Sequence, residues 1–258
     1  ADGTVSMAST ATNTVTATIT IGGNPNCVAV TPNGAYVYVT KGDIINNRGV
    51  GIVSVISTAT NTVTATITVG STPSALAVTP NGEFVYVANG GSGSVSVIST
   101  ATNKVIATVT VGVNPDGVAI TSDGAYAYVT NLASNSVSVI STDSNTVTAT
   151  ITGLSSPNGI ALTPNDEYAY VTNGGNGSVS VISTATKRVN ASVVVGTTPY
   201  GIALTPDGAY AYVTNLISGS VSVINTATNT VLTGSASLDP EFSAQLLIIT
   251  IVGIVTII

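Results

Sequence analysis

The chain has 258 residues, only 6% of them charged, and its net charge is −6. With five basic residues scattered along the chain, the sequence provides no basic stripe for binding phosphates, so we do not expect a nucleic-acid partner. Histidine is absent from the sequence, which removes the usual proton shuttle and the commonest metal ligand, so we predict neither an enzyme, a cofactor nor a metal site.

The first elements of the chain are two strands between Thr4 and Thr20, both rich in threonine. No charged leader followed by an apolar core precedes them at Ala1–Ser6, so we expect a mature product.

A repeat then begins and recurs with its proline at Pro25, Pro73, Pro115, Pro157 and Pro199, so the spacing is 48 residues once and 42 thereafter. A period of about 40 to 45 residues that contains several short strands is typical of a propeller blade. The sequence therefore predicts one all-β domain, a β-propeller, over residues 1–233, followed by an apolar C-terminal tail at 234–258.

The third repeat shows the predicted blade: strands at 117–121, 125–130, 136–141 and 146–152. A Thr-Pro-Asn-Gly type turn joins the first two, and Ser-Thr-Ala-Thr-Asn or a close variant joins the last two. The second strand carries Tyr-x-Tyr, which places both rings on one face, and we expect them to pack between blades. The third alternates Val with Ser, as half-buried strands do. The fourth should present a band of hydroxyl groups around the rim.

Cys27 stands where the other repeats have Ala or Gly, so we expect a small buried side chain there. The most irregular part of the first repeat is a six-residue expansion at 41–51. A single unusual loop among near-identical repeats is a candidate for recognition, with Lys41, Asp43 and Arg48 as its charged residues, although a tolerated insertion is the favoured explanation. Two sequons, at Asn176 and Asn190, are candidates for glycosylation.

Tyr-Val-Thr-Asn recurs at 128–131, 170–173 and 212–215, flanked by Pro-Asp-Gly and Val-Ser-Val-Ile-Ser-Thr-Ala-Thr-Asn type motifs. Residues 1–233 thus resemble the YVTN-type β-propeller repeat family, which is known from surface-layer proteins of methanogenic archaea. The resemblance implies a secreted protein of the cell envelope, located at the cell surface, with a structural or adhesive role. That family includes seven-bladed members, and we expect a smaller ring here.

Six outer strand pairs but only five inner pairs can be counted, so we predict six blades of four strands, one of them completed by the tail. If the tail does not pair, the alternative is five complete blades with an accessory outer pair. The tail itself allows three fates. Residues 246–252 and 254–258 could close the ring in cis, or they could enter a neighbouring subunit by strand addition. In the third, Pro240–Phe242 resembles a PEF-type sorting signal ahead of a membrane segment, although 244–258 is shorter than the roughly twenty residues a span needs. The candidate assembly contacts are Leu246, Ile248, Ile251, Ile254 and Ile257.

The leading hypothesis is a structural protein of the archaeal surface-layer type that self-assembles into a layer, sheath or filament. Its partner would be itself, with cell-surface polysaccharide or other envelope proteins as further partners, and only the tail would contact a membrane. The alternative is a monomeric adhesion module that binds through its loop face. A third hypothesis, an enzyme similar to propeller lactonases or quinoprotein dehydrogenases, would require a convergent reactive set that the sequence does not show.

Overall fold

A computed structural model describes residues 3–45 and 48–232, and at residues 43–45 and 48 only the strand backbone is described. The described chain is all β, as predicted, and forms antiparallel sheets that follow one another in sequence. We number the blades I to VI. Blade I has two strands and blades II to VI have four each. The strands of blades I to III are β1 (Thr4–Ser9), β2 (Thr14–Thr20), β3 (Asn24–Val30), β4 (Tyr36–Ile45), β5 (Arg48–Ser57), β6 (Thr62–Val69), β7 (Pro73–Val78), β8 (Phe84–Asn89), β9 (Ser94–Ser99) and β10 (Lys104–Thr110). Those of blades IV to VI are β11 (Pro115–Ile120), β12 (Tyr126–Asn131), β13 (Ser136–Ser141), β14 (Thr146–Ile151), β15 (Pro157–Leu162), β16 (Tyr168–Asn173), β17 (Ser178–Ser183), β18 (Arg188–Val194), β19 (Pro199–Leu204), β20 (Tyr210–Asn215), β21 (Ser220–Asn225) and β22 (Thr230–Val231).

Turn chemistry sets the first hairpin of every complete blade. In blade IV the Thr121 hydroxyl donates to Asp123 Oδ1 at 2.6 Å, and the same oxygen accepts the Ala125 amide at 2.9 Å. These bonds, that from Thr121 above all, hold the pKa of Asp123 below its usual range. Gly124 follows at φ +74°, where a residue with a Cβ is strained. Such turns hold neighbouring strands in register.

The outer hairpin joins the third and fourth strands and also contains a residue with positive φ. That residue is asparagine except in blade V, and the set is Asn13, Asn61, Asn103, Asn145, Lys187 and Asn229. Each of the fully paired outer ladders, and β1–β2 as well, then carries a register shift one to three residues from the turn. A bulge of this kind increases the local twist of a sheet, which suits blades that fan around an axis.

The core lies between blades and is the same at three successive junctions. One blade contributes a tyrosine and valines, and the next contributes an alanine, a valine and an isoleucine. Between blades IV and V, for example, Tyr128, Val137 and Val139 pack against Ala169, Val171 and Ile182. The corresponding clusters fill the junctions of blades III with IV and V with VI. The prediction that tyrosines pack between neighbouring blades is therefore confirmed.

The innermost strands β3, β7, β11, β15 and β19 pack side by side in that order, while no comparable contact joins β19 to β3. Blade I packs on blade II through Ile19, Ile21, Val39 and Ile56. Within residues 3–45 and 48–232 the propeller thus has five complete blades and the outer half of a sixth. The tail that was predicted to complete the ring lies outside the described residues.

One local expectation was wrong. The Val–Ser alternation of the third strands predicted half-buried strands, yet β9, β13 and β17 are buried on both faces up to their last residue. Their serines face a neighbouring blade as fully as their valines do, since a middle blade has another blade on each side.

Candidate interaction surfaces

The residues of the Tyr-Val-Thr-Asn motif join blades to one another. Asn131 is fully buried, and its Nδ2 donates to the hydroxyls of Ser136 and Ser138 at 3.2 and 3.0 Å. Its Oδ1 accepts the amide of Gly112, the residue that follows blade III, at 3.1 Å. The Asn131 side chain therefore hydrogen-bonds the buried serines of its own blade. It also hydrogen-bonds the segment that enters from the preceding blade. Asn173 and Asn215 repeat the pattern.

The threonine of the motif connects innermost strands. Thr130 Oγ1 accepts the Gly117 amide at 2.7 Å within blade IV and donates to the Asn158 carbonyl of blade V at 2.6 Å. Thr172 makes the same pair of bonds, to the Gly159 amide at 2.9 Å and to the Tyr200 carbonyl at 2.8 Å. The hydroxyl is therefore a bridge between adjacent blades near the axis.

The second tyrosine of each pair reaches the outer hairpin of the next blade. Tyr38, Tyr86 and Tyr170 donate to Oδ1 of Asn103, Asn145 and Asn229 at 3.0, 2.8 and 2.7 Å. Burial raises the pKa of Tyr38, Tyr86 and Tyr128 to about 12. In front of Tyr128 the asparagine is replaced by Lys187, whose Nζ lies 5.8 Å from that ring and 4.6 Å from the ring of Tyr126.

The first tyrosine of the pair stays at the surface, since Tyr36 and Tyr126 are 42% and 36% exposed. The sequence placed both rings on one face but did not separate their roles. Nor did it indicate that Asp166 Oδ2 accepts the amide and hydroxyl of Ser122 at 2.7 and 2.6 Å, which joins the turns of blades IV and V. An Asp residue at this turn position does not indicate, from sequence, a hydrogen bond to the neighbouring repeat.

The axial strands place one residue of each complete blade directly after the repeat proline: Asn26, Ser74, Asp116, Asn158 and Tyr200. Asn26 and Ser74 donate to the proline carbonyls of the next blades, Pro73 at 3.3 Å and Pro115 at 2.9 Å. Burial raises the pKa of Asp116, and its charge in turn raises the pKa of Tyr200, two blades away. Polar groups of successive blades therefore lie close to one another along the innermost strands.

Cys27 is buried, as expected, and burial is the main cause of its raised pKa. In the described part of the chain no group of three or more His, Cys, Asp or Glu residues is placed to hold a metal ion. The same residues include no helix that is long and apolar enough to cross a membrane.

Outer strands β2, β6 and β14 form the predicted band of hydroxyl groups, whereas β10 and β18 begin with the exposed Lys104 and Arg188. Threonines are exposed along β2, β6 and β14, where they alternate with partly buried apolar side chains. Asn190, on β18, and Asn176, in the loop after β16, are both exposed, so each candidate for glycosylation is at the surface. The Asn176 Oδ1 accepts a hydrogen bond from the Ser178 hydroxyl at 2.7 Å.

The predicted recognition loop is largely a strand hairpin. β4 and β5 pair without interruption from Tyr36↔Ser57 to Ile45↔Arg48, whereas the matching ladder of blade IV ends at Asn131↔Ser136. The four further pairs extend the hairpin by about 13 Å at the usual rise per residue. Asp43 and Arg48 lie in this extension, and their side chains are outside the described part.

Lys41 does not belong to a free recognition surface, which corrects the sequence-based interpretation. It occupies the position of the buried asparagine, is only 7% exposed, and donates from Nζ to the carbonyl of Ile21 at the exit of blade I. The Lys41 side chain thus hydrogen-bonds the segment that leaves the preceding blade, as the asparagine side chain does in the other blades. The candidate assembly contacts Leu246, Ile248, Ile251, Ile254 and Ile257 lie outside the described residues.

Two shallow grooves lie between the first turns of adjacent blades, with volumes of about 280 and 240 Å³. The larger is lined by polar residues of blades III and IV, among them Asn81, Asp123 and Asp143, beside the ring of Phe84.

These features define a propeller of four-stranded blades whose motif residues are used in contacts between blades. The chain belongs to the family described as lactonase, 7-bladed β-propeller, whose model matches residues 4–117, 53–153 and 117–239. The expected membership of a YVTN-like propeller family is confirmed at this level.

Solved structures of the same fold include a functionally unknown protein from Desulfotomaculum acetoxidans. It is 22% identical, the alignment covers 90% of this chain and 75% of that one, and the TM-score is 0.75. A hydrazine synthase chain from Kuenenia stuttgartiensis is 20% identical over 87% of this chain and 90% of its own, with a TM-score of 0.58. No curated protein matches the sequence. At these identities the similarity concerns the fold alone.

Proposed function

We propose that the protein is an extracellular structural component of the cell envelope, of the archaeal surface-layer type, which self-assembles into a layer, sheath or filament. The observation that carries this proposal is the band of exposed hydroxyl groups on the rim. Outer strands of successive blades present exposed threonines, and the whole chain has only 6% charged residues. Copies can therefore approach laterally without the charge repulsion that keeps most soluble proteins apart.

The edges of the rim support the same proposal. The fourth strand of each blade, such as β14, pairs with its third strand on one side only among the described strands. The edges of β6 and β14 carry no charged residue or proline, and such strand edges favour association with other chains. The resemblance of the repeats to archaeal surface-layer proteins also supports it, and the exposed Asn176 and Asn190 suit a glycosylated exterior.

Electron microscopy of the purified protein, together with surface labelling of intact cells by a specific antibody, tests the proposal. Ordered polymers and labelled cell surfaces are expected. A variant that carries Lys at Thr64, Thr66, Thr148 and Thr150, four exposed rim positions, should give folded single rings, because it adds like charges to the rim. Single rings of the unmodified protein at high concentration, with no label on cells, would contradict the proposal.

A monomeric adhesion module is the second candidate, and the extended β4–β5 hairpin is the observation that favours it. Protruding elements on a rigid scaffold often carry recognition, and a cell-surface polysaccharide or another envelope protein would be the ligand. Replacing residues 42–51 by Gly-Gly-Ser-Gly, the loop at 90–93 of blade III, should abolish binding to envelope polysaccharide and leave the unfolding midpoint close to that of the parent protein. Unchanged binding by this variant would exclude the hairpin as the binding element.

A further inference from the structure

We propose that the groove between the first turns of blades III and IV is a binding site for an alkylammonium group, the chemistry of a lysine side chain or of a free amine. The ring of Phe84 and the carboxylates of Asp123 and Asp143 line this groove, whose volume is about 280 Å³. The site lies apart from the threonine rim and from the β4–β5 hairpin, so it goes beyond the proposed roles in assembly and adhesion.

The two carboxylates of the groove come from two different turns of blade IV. Asp123 lies between β11 and β12, and Asp143 lies in the outer hairpin between β13 and β14. Oδ1 of Asp123 accepts the Thr121 hydroxyl and the Ala125 amide, while Oδ2 accepts no bond from another described residue. Asp143 is exposed, and its carboxylate has no hydrogen bond or ion pair with any residue in 3–45 and 48–232. Both groups are therefore available to a cation.

The formation of these turns does not require the two negative charges. The position of Asp143 is alanine in the other complete blades, namely Ala59, Ala101, Ala185 and Ala227. The position of Asp123 is asparagine in blades II, III and V, namely Asn33, Asn81 and Asn165. Asparagine makes the same turn bonds, since Asn81 Oδ1 accepts the Thr79 hydroxyl at 2.6 Å and the Glu83 amide at 3.1 Å. Turn chemistry alone thus leaves the paired carboxylates of blade IV unexplained.

The equivalent place between blades IV and V holds an ammonium group of the chain itself. There the residue at the Phe84 position is Tyr126, and Lys187 Nζ lies 4.6 Å from the centre of its ring. Lys187 belongs to the outer hairpin of blade V, and its counterpart in blade IV is Asn145. The blade IV–V junction therefore shows how an ammonium group lies against the aromatic ring of this repeat. The blade III–IV groove has the ring without the lysine.

The charges at the two junctions match this difference. At the positions of Asp123 and Asp143 the blade IV–V junction has the neutral Asn165 and Ala185, beside its own lysine. The blade III–IV groove has two carboxylates and no basic residue in its lining. A cation gains from the face of the ring and from hydrogen bonds to the carboxylates. An anion would be repelled, and a neutral ligand would gain nothing from the charge, so the lining selects an ammonium group.

The groove between blades II and III provides an internal control. Its volume is about 240 Å³, and it also contains an exposed ring, that of Tyr36. At the positions of Asp123 and Asp143 it has Asn81 and Ala101, and its lining includes no charged side chain. This groove has the shape and the ring without the carboxylates, so we expect it not to bind the cation.

Equilibrium dialysis of the full chain against the fluorescent amine dansylcadaverine tests the proposal, and this method works whether or not the chain assembles. The uncharged N-hexyl dansylamide is the control ligand. The amine should bind at one site per chain with a Kd on the order of 1 mM, as suits a shallow groove, and the uncharged control should bind at least about tenfold more weakly.

Three variants locate the site. Asp143→Ala and Asp123→Asn introduce the residues of neighbouring blades, so both proteins should keep the circular dichroism spectrum of the parent. Each should raise the Kd about fivefold or more, and the double variant should not bind, because the cation loses its charged partners. Asp207→Asn removes the matching turn charge from blade VI, with the same change in net charge, and should bind as the parent does.

Competition distinguishes the two sources of the ammonium group. Stronger displacement of the probe by Nα-acetyl-lysine N-methylamide than by n-butylamine would identify a polypeptide lysine as the ligand, and equal or weaker displacement would identify a free amine. Three results would overturn the proposal: no binding of the amine by the folded parent chain, equal binding of the amine and the uncharged control, or unchanged binding by the double variant.

Discussion

Blades IV and VI carry nearly the same sequence, yet within residues 3–45 and 48–232 only blade IV has a complete blade on each side. Val139 is completely buried and Val223 is half-buried, although both occupy the same place in Val-Ser-Val-Ile. The serines differ in the same way, since Ser136 is buried and Ser220 is exposed. The burial of a residue in a propeller therefore depends on the junction between two blades and not on the strand that carries the residue.

The largest effect is expected from a charge placed in a filled junction. Val139→Asp should cost more than about 4 kcal/mol of folding free energy, enough to prevent folding, because the carboxylate has no partner among the apolar side chains. Val223→Asp should cost about 1 kcal/mol, since water reaches that face. Urea denaturation followed by circular dichroism measures both. Equal losses would show that the two faces are equally filled in solution.

The second effect is expected from alkaline pH, which should destabilise the filled blade junctions. The pKa of Tyr38, Tyr86 and Tyr128 is raised to about 12 by burial, so the folded protein favours the neutral phenol. Their contribution to stability is complete below about pH 10, the usual tyrosine pKa, and is lost as the pH rises through 12. Tyrosinate absorbance and circular dichroism, recorded together, should show these phenols ionising as the protein unfolds. Their titration near pH 10 in a still folded protein would refute the assignment.

The third effect is expected from loss of the buried asparagine of the Tyr-Val-Thr-Asn motif. Asn131→Ala leaves the Gly112 amide and two buried serine hydroxyls without their partner, and should cost about 2 to 3 kcal/mol. Asn215→Ala removes the same bonds in blade VI, where Ser220 is exposed and Ser222 half-buried, so water can replace part of them. About 1 kcal/mol is expected there. The difference between the two urea midpoints is the measurement, and a larger loss for Asn215→Ala would reverse the comparison.

The smallest effect concerns one hydroxyl group. Tyr170→Phe removes the 2.7 Å bond to Asn229 and should cost about 1 kcal/mol. Tyr128→Phe, where Lys187 replaces the asparagine, should cost no more than about 0.5 kcal/mol. Thermal unfolding of the two variants against the parent protein separates them. Asn229→Ala should abolish the difference, because it removes the acceptor.

Because the chain repeats, much of the fold could be predicted from the sequence. Predicted strands at 136–141 and 146–152 match β13 and β14 within one residue, because the turn residues between them fix both ends. The paired tyrosines indicated blade junctions for a similar reason: the period of two places both rings on one face. The outer pair before Pro25 was also predicted correctly.

The hydrogen bonds between blades could not be predicted from the sequence in this way. Nothing local distinguishes Lys41, which replaces the buried asparagine and binds the Ile21 carbonyl, from a lysine in an exposed loop. Likewise, Asp166 occupies a turn position whose usual role is local, yet it binds Ser122 of the preceding blade. Such contacts join residues of different blades, and their geometry depends on how two finished blades dock.

By itself, then, the sequence determined the period, the four strands of a blade, the turns and the apolar content of each junction, since these follow from local backbone preferences and side-chain alternation. Only the tertiary structure decided which of the repeated faces are filled. Identical strands become buried or exposed according to the blade beside them, because burial requires a second surface, and the sequence of one blade carries no record of whether that surface is present.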